Sequence, residues 1–161
     1  MCNSTTENIT YEIILEFAKT IEMFGLTPLE ARLFVYLYLQ DQPKSLDDMS
    51  EALGKSKTSM STSIRNLSDA NLVTLVWRKG VRKDLYVANN QLFKSFMNSY
   101  TNKWINATKH QKDALGKNQR LINQKKKDES SEELTKLDER LNDILEFHTL
   151  VENLFRNLPQ E

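Results

Sequence analysis

Thr58, Ser61, Thr62 and Arg65 recur at intervals that bring them to one side of a helix, with Lys57 and Ser59 at the flanks and Ser56 just ahead. Such side chains hydrogen-bond without bulk. Small hydroxyls let a helix backbone approach the floor of a major groove and reach bases or phosphates, while the planar fork of Arg65 suits bidentate bonding to a guanine. A second set, Arg78, Lys79, Arg82 and Lys83, crowds around Gly80. Cations gathered on a protrusion neutralise phosphates, and an arginine among them can enter a minor groove.

Particular elements are needed to hold these groups. Ser56 is an N-cap for a helix whose Met60, Ile64 and Leu67 share the opposite, inward face. Ser45-Leu46-Asp47-Asp48 starts the helix before it, with Asp48 where a capping-box carboxylate belongs, Leu46, Met49 and Leu53 as its apolar stripe, and Gly54 as its stop. That is helix-turn-helix spacing. Val73, Leu75 and Trp77 then alternate with Thr74, Val76 and Arg78, and Leu85-Tyr86-Val87 follows the Gly80 turn, so a hairpin with a basic tip is predicted.

Upstream, Ile14, Phe17, Ile21 and Phe24 predict a first helix closed by Gly25; Thr27-Pro28-Leu29-Glu30 is a capping box that opens a second, heavily buried helix. Downstream, Phe93, Met97, Tyr100, Trp104, Ala107, Ala114 and Leu121 predict a long helix running to about Gln124. The run from Lys125 to Ser131 breaks the pattern and is expected to be a solvated connector. Leu134, Leu137, Leu141, Ile144, His148, Val151, Phe155 and Leu158 then form a coiled-coil-like seam, in which His148 is expected to be an interface residue.

The fold class expected is mainly α with a small β-hairpin: a winged helix-turn-helix over residues 26–89, an N-terminal dimerisation helix in 1–25, and a long linker helix with a C-terminal dimerisation helix in 90–161. The unpartnered seam argues for a homodimer.

Lys and Arg balance Asp and Glu at 22 each, so net charge says nothing about partners, but the stretch from Lys55 to Lys83 carries seven cations against Asp69 alone. Cys2 is the single cysteine, which excludes a disulfide framework or thiolate cluster within one chain. His110 and His148 stand far apart, and there is neither a phosphate-cradling glycine loop nor metal-ligand spacing. No catalytic residue, metal or cofactor is expected. No stretch reads as a membrane span or signal peptide, so a cytoplasmic protein is expected.

The motifs Ser56-Lys57-Thr58-Ser59-Met60-Ser61-Thr62-Ser63 and Trp77-Arg78-Lys79-Gly80-Val81-Arg82-Lys83-Asp84-Leu85 resemble the GbsR branch of the MarR-like repressors, over roughly residues 26 to 104. The wing lacks the Asp-x-Arg pattern of MarR proper, which favours the GbsR branch. The resemblance implies a homodimer on a palindromic DNA operator, acting as a repressor, with choline as inducer. It also implies an aromatic site for the trimethylammonium group: Tyr38, Tyr100 and Trp104 stand in matching motifs, and Phe34 where a Tyr is often found. Rings at helical spacing are also ordinary core residues. A second reading of the whole chain is a winged-helix adaptor that contacts a protein partner without sequence-specific DNA binding.

Overall fold

The computed structural model describes residues 3–159, so Cys2 lies outside the described residues. The elements run α1 (Asn3–Glu22), α2 (Pro28–Tyr38), α3 (Leu46–Leu53), α4 (Lys57–Asp69), β1 (Val73–Val76), β2 (Leu85–Ala88), α5 (Leu92–Asp128) and α6 (Glu132–Arg156). The chain divides into two compact units, one ending at Ser99 and one beginning at Tyr100, with α5 passing from the first into the second.

The first unit is built around α2. Its Ala31, Leu33, Phe34, Val35 and Leu37 are all buried, against Ile14, Ala18 and Ile21 of α1, Met49 of α3, Met60, Ile64 and Leu67 of α4, and Phe96 of α5. A helix apolar on most faces has to sit at the centre. Each fully buried Leu, Phe or Met contributes roughly 1.5–3 kcal/mol by leaving water.

Two helix starts are fixed by reciprocal caps. Thr27 Oγ1 accepts from the Glu30 N–H while Glu30 Oε2 accepts from the Thr27 N–H. Ser45 and Asp48 do the same at α3. Gly54 ends α3 at φ +63°, a left-handed conformation that costs glycine little. The end of α4 is less expected from its residues: Asn71 adopts φ +58°, its N–H bonds to the Ser68 carbonyl, and the Leu72 N–H bonds to the Leu67 carbonyl. This is a Schellman stop with asparagine in the glycine position, and buried Leu67 and Leu72 make its usual apolar pair.

β1 and β2 pair antiparallel, Val73 with Ala88 through Val76 with Leu85. The alternation expected to continue to Arg78 stops at Val76. Val73 is buried, yet Leu75 and Trp77 are 55% and 83% exposed, because a two-stranded ribbon that leaves the body has nothing to pack beneath it.

In the second unit, α5 and α6 run antiparallel, tied by Lys126–Asp138 (2.7 Å), Gln119–Asn142 (2.5 Å) and Lys112–Glu152 (3.8 Å). The lysine run does not form the expected connector: α5 continues through Asp128, and only residues 129–131 join the helices. Cations in a last turn interact favourably with the helix dipole, which offsets the lack of apolar contacts. The seam of α6 splits. Leu141 is buried and Leu134, Val151 and Phe155 are half-buried, whereas Leu137 and Ile144 are exposed and Leu158 lies beyond the helix end. His148 Nδ1 is 2.7 Å from the Ile144 carbonyl of its own helix. Among the described residues no helix is long and apolar enough to cross a membrane, and no group of His, Cys, Asp or Glu could hold a metal ion.

Candidate nucleic-acid interface

Because Met60, Ile64 and Leu67 are buried, the opposite side of α4 faces water. Lys57, Thr58, Thr62 and Arg65 are exposed, and Ser59 and Ser61 are half-buried at the edge. Two of the expected hydroxyl contacts are engaged with each other. Ser56 Oγ accepts from the Ser59 N–H at 3.1 Å and lies 2.9 Å from Ser59 Oγ, so both hydroxyls serve the cap. The first turn of α4 holds no acidic side chain, which leaves its positive end unneutralised by its own residues.

A part-buried polar tie links α2 to α4. Glu30 of α2, 7% exposed, accepts from Asn66 Nδ2 through Oε1 at 2.7 Å while its other oxygen completes the α2 cap. One carboxylate thus fixes both the start of α2 and the turn of α4 that carries Arg65.

Beyond β1 the chain turns at Gly80, φ +83°, closed by a Val81 N–H to Arg78 carbonyl bond. Lys79 and Arg82 are exposed there. Arg78 donates to Gln42 Oε1 at 2.8 Å. The base of the hairpin is tied to residue 44 by a two-bond bridge between Lys44 and Tyr86.

Lys57 and Lys83 converge on one carboxylate. Asp47 Oδ1 lies 3.1 Å from Lys57 Nζ and Asp47 Oδ2 lies 2.9 Å from Lys83 Nζ. The two ammonium groups, Lys83 first and then Lys57, hold the Asp47 carboxyl below its ordinary value, and Asp47 raises Lys83 in return. Sequence reading placed Asp47 in the α3 cap region and gave it no further role. Its partners lie 10 and 36 residues away, so only the helix-turn-helix and wing geometry reveals the pairing.

The four aromatic candidates fall in two places. Phe34 is fully buried in the first unit, its ring 6.2 Å from Tyr38 and 4.8 Å from Phe96, so it is enclosed by its own core; Tyr38 is at the margin of that stack. In the second unit Tyr100 and Trp104 meet Phe155, a residue the sequence showed only as part of the α6 seam. Trp104 stacks on Phe155 at 5.2 Å and 5°, with Tyr100 edge-on to both.

No family model matches the chain. It is 37% identical over 92 residues to the HTH-type transcriptional repressor GbsR of Bacillus subtilis (strain 168), a match covering 57% of this chain and 51% of the relative. It is 34% identical over 98 residues to the HTH-type transcriptional repressor OpcR of the same organism, covering 61% and 53%. The chain thus spans about half the length of these two relatives. The putative HTH-type transcriptional regulator YvaV, also of Bacillus subtilis, is 28% identical over 152 residues, covering 92% of this chain and 86% of its own. A crystal structure of a transcriptional regulator shares the fold, with a TM-score of 0.61 at 18% identity over 91% of this chain and 95% of that one. These relatives are named as transcriptional repressors and a putative transcriptional regulator. The chain is thus similar to HTH-type transcriptional repressors over about half of their length, and its fold is a winged helix-turn-helix.

Proposed function

We propose that the protein is a repressor that binds double-stranded DNA as a homodimer on a palindromic operator, with α4 in the major groove and the Trp77–Asp84 loop on the flanking backbone. The observation that carries this reading is the water-facing side of α4, where Thr58, Ser61, Thr62 and Arg65 lie in the same compact unit as the wing cations Lys79 and Arg82. Small hydroxyls with one arginine suit base edges, and the wing cations suit phosphates. Such a partner assigns the protein to the bacterial cytoplasm.

For the dimer, the supporting feature is apolar surface left on the outer side of α6. Leu137, Ile144, Phe147, Leu150 and Leu154 are exposed, as are Ile9, Tyr11 and Ile13 of α1. A dimer on a palindromic operator needs its two recognition helices one helical turn apart, about 34 Å, to meet adjacent major grooves. Choline or a related quaternary ammonium ion is the proposed inducer, held by Tyr100 and Trp104 with Phe155, since ring faces attract such cations without hydrogen bonds. Phe34, inside the core, does not serve as a contact in this scheme.

The test is fluorescence anisotropy of a labelled duplex, titrated with protein at several salt concentrations. Binding that weakens steeply with salt is expected, with a logarithmic slope of roughly −0.9 per phosphate contacted. Exposed Leu75 and Trp77 on the wing favour a second reading, an adaptor that grips a protein partner. Absence of salt-dependent duplex binding at micromolar protein would select it. Calorimetry with choline on the wild type and Trp104→Ala tests the inducer: equal heats in the two, or none in either, would remove these rings from the scheme.

A further inference from the structure

We propose that Asp47 is an internal stand-in for DNA phosphate: in the free protein it holds Lys57 of α4 and Lys83 of the wing, and on a duplex the two lysines leave it for phosphate oxygens. The inference rests on the DNA-binding reading above and adds to it a residue that opposes binding.

The geometry is that of one anion clamped by two cations from different elements. Each carboxylate oxygen takes one ammonium, Oδ1 that of Lys57 at 3.1 Å and Oδ2 that of Lys83 at 2.9 Å. A phosphate offers the same pair of anionic oxygens to the same two donors. Ion pairs so exposed are weak and exchangeable: the side chains of Lys57, Lys83 and Asp47 are 62%, 65% and 47% accessible.

Two other roles for Asp47 are already filled. The start of α3 is capped by Ser45 and Asp48, whose bonds to each other do not involve Asp47. The wing is positioned by the four-pair ladder of β1 and β2, by the two-bond bridge between Lys44 and Tyr86, and by the Arg78–Gln42 bond of 2.8 Å. A carboxylate required neither for the cap nor for the hairpin, yet shared by two exposed lysines of the proposed DNA face, acts on their charge. It lowers the cationic field that α4 and the wing present to any duplex, so only a complex that supplies phosphates to both lysines compensates for the pairs it breaks.

The consequence is a change in salt dependence as well as in affinity. Removing one fixed anion from the contact zone adds about one released counterion to binding, so the logarithmic salt slope steepens by about 0.9. The gain at physiological salt is roughly three- to tenfold, the scale of two exposed ion pairs. Asp84 lines the same hollow as Asp47, Lys57 and Lys83 but forms no ion pair among the described residues, which makes Asp84→Asn a control for general charge.

The experiment measures duplex affinity by anisotropy, from about 50 to 300 mM salt, either side of the roughly 150 mM at which the Debye length is about 8 Å, for the full chain and for Asp47→Asn, Asp47→Glu and Asp84→Asn, with circular-dichroism melts as the check on folding. Expected are tighter binding and a steeper slope for Asp47→Asn, near wild-type behaviour for Asp47→Glu, and a smaller effect for Asp84→Asn. Weaker binding by Asp47→Asn at an unchanged slope would mean that the residue only positions the lysines, and would overturn the proposal. Equal gains for Asp47→Asn and Asp84→Asn would overturn it as well. If the wild type itself showed no salt-dependent binding, the DNA-binding reading would fall first, an outcome distinct from the other two.

Discussion

The carboxylate of Glu30 carries two tasks at once, and removing it should reveal both. In Glu30→Ala the Thr27 N–H loses its side-chain acceptor and Asn66 Nδ2 loses its 2.7 Å partner. A lost cap interaction costs about 0.5–2 kcal/mol and a lost hydrogen bond to a charged group about 1.5–3 kcal/mol. The two effects share one side chain and overlap, so a total of about 2–4 kcal/mol is expected, some 5–15 °C in Tm for a chain of this size. Asn66→Ala removes only the second bond and leaves a buried carboxylate oxygen short of a partner, for about 1–3 kcal/mol. Urea unfolding of wild type, both single variants and the double variant gives the cycle, with m values unchanged. The double variant should fall short of the sum by about 1–2 kcal/mol. Strict additivity, or a Glu30→Ala cost below about 0.5 kcal/mol, would refute the claim that this carboxylate links the α2 cap to the seating of α4.

Other outcomes are equally checkable. Arg65→Ala should reduce discrimination between duplex sequences by about 1–3 kcal/mol, whereas Arg82→Ala should weaken binding to all sequences alike; anisotropy on a panel of duplexes separates them. Gly54→Ala meets no neighbouring atom within 4 Å, so its cost is the backbone alone, about 1–2 kcal/mol for an L-residue at φ +63°, read from the denaturation midpoint. The Asp47 and Asp48 carboxyls both lie below the ordinary 3.8, Asp47 through Lys83 and Lys57 and Asp48 through the backbone and then the side chain of Ser45. A depressed carboxyl stabilises the fold fully above its unfolded value and loses that contribution as pH falls through the folded one, so unfolding midpoints should be flat near neutrality and decline below about pH 5, with a shallower decline in Asp48→Asn.

What could be read from residue order was what depends on neighbours three or four positions apart. The caps at Thr27 and Ser45 and the inward face of Met60, Ile64 and Leu67 are of this kind. Ties across the chain were hidden. Glu30 to Asn66, Arg78 to Gln42 and Lys83 to Asp47 each span 36 residues, and polar side chains carry no periodic signal of such distant partners. Periodicity also misleads where the surroundings decide burial. The alternation through Leu75 and Trp77 is sound strand chemistry on a ribbon with no core beneath it, and the heptad through Leu137, Leu141 and Ile144 mixes one buried position with two exposed ones. The lysine run at 125–127 reads as a break by hydropathy but ends a helix comfortably by electrostatics.

Trp77 and Trp104 are the two tryptophans of the chain, and they differ in exposure, 83% against 37%. The indole of Trp77 is almost wholly in water on the wing, while that of Trp104 lies stacked on Phe155. Their emission is expected to differ in degree without any label: a more red-shifted, more easily quenched component from the wing and a less exposed one from the helical unit. A Trp104→Phe variant leaves the wing as the chain's single emitter, so that anything settling against the hairpin announces itself as a change in colour and in access to a soluble quencher, while Trp77→Phe gives the complementary channel for the α5–α6 unit.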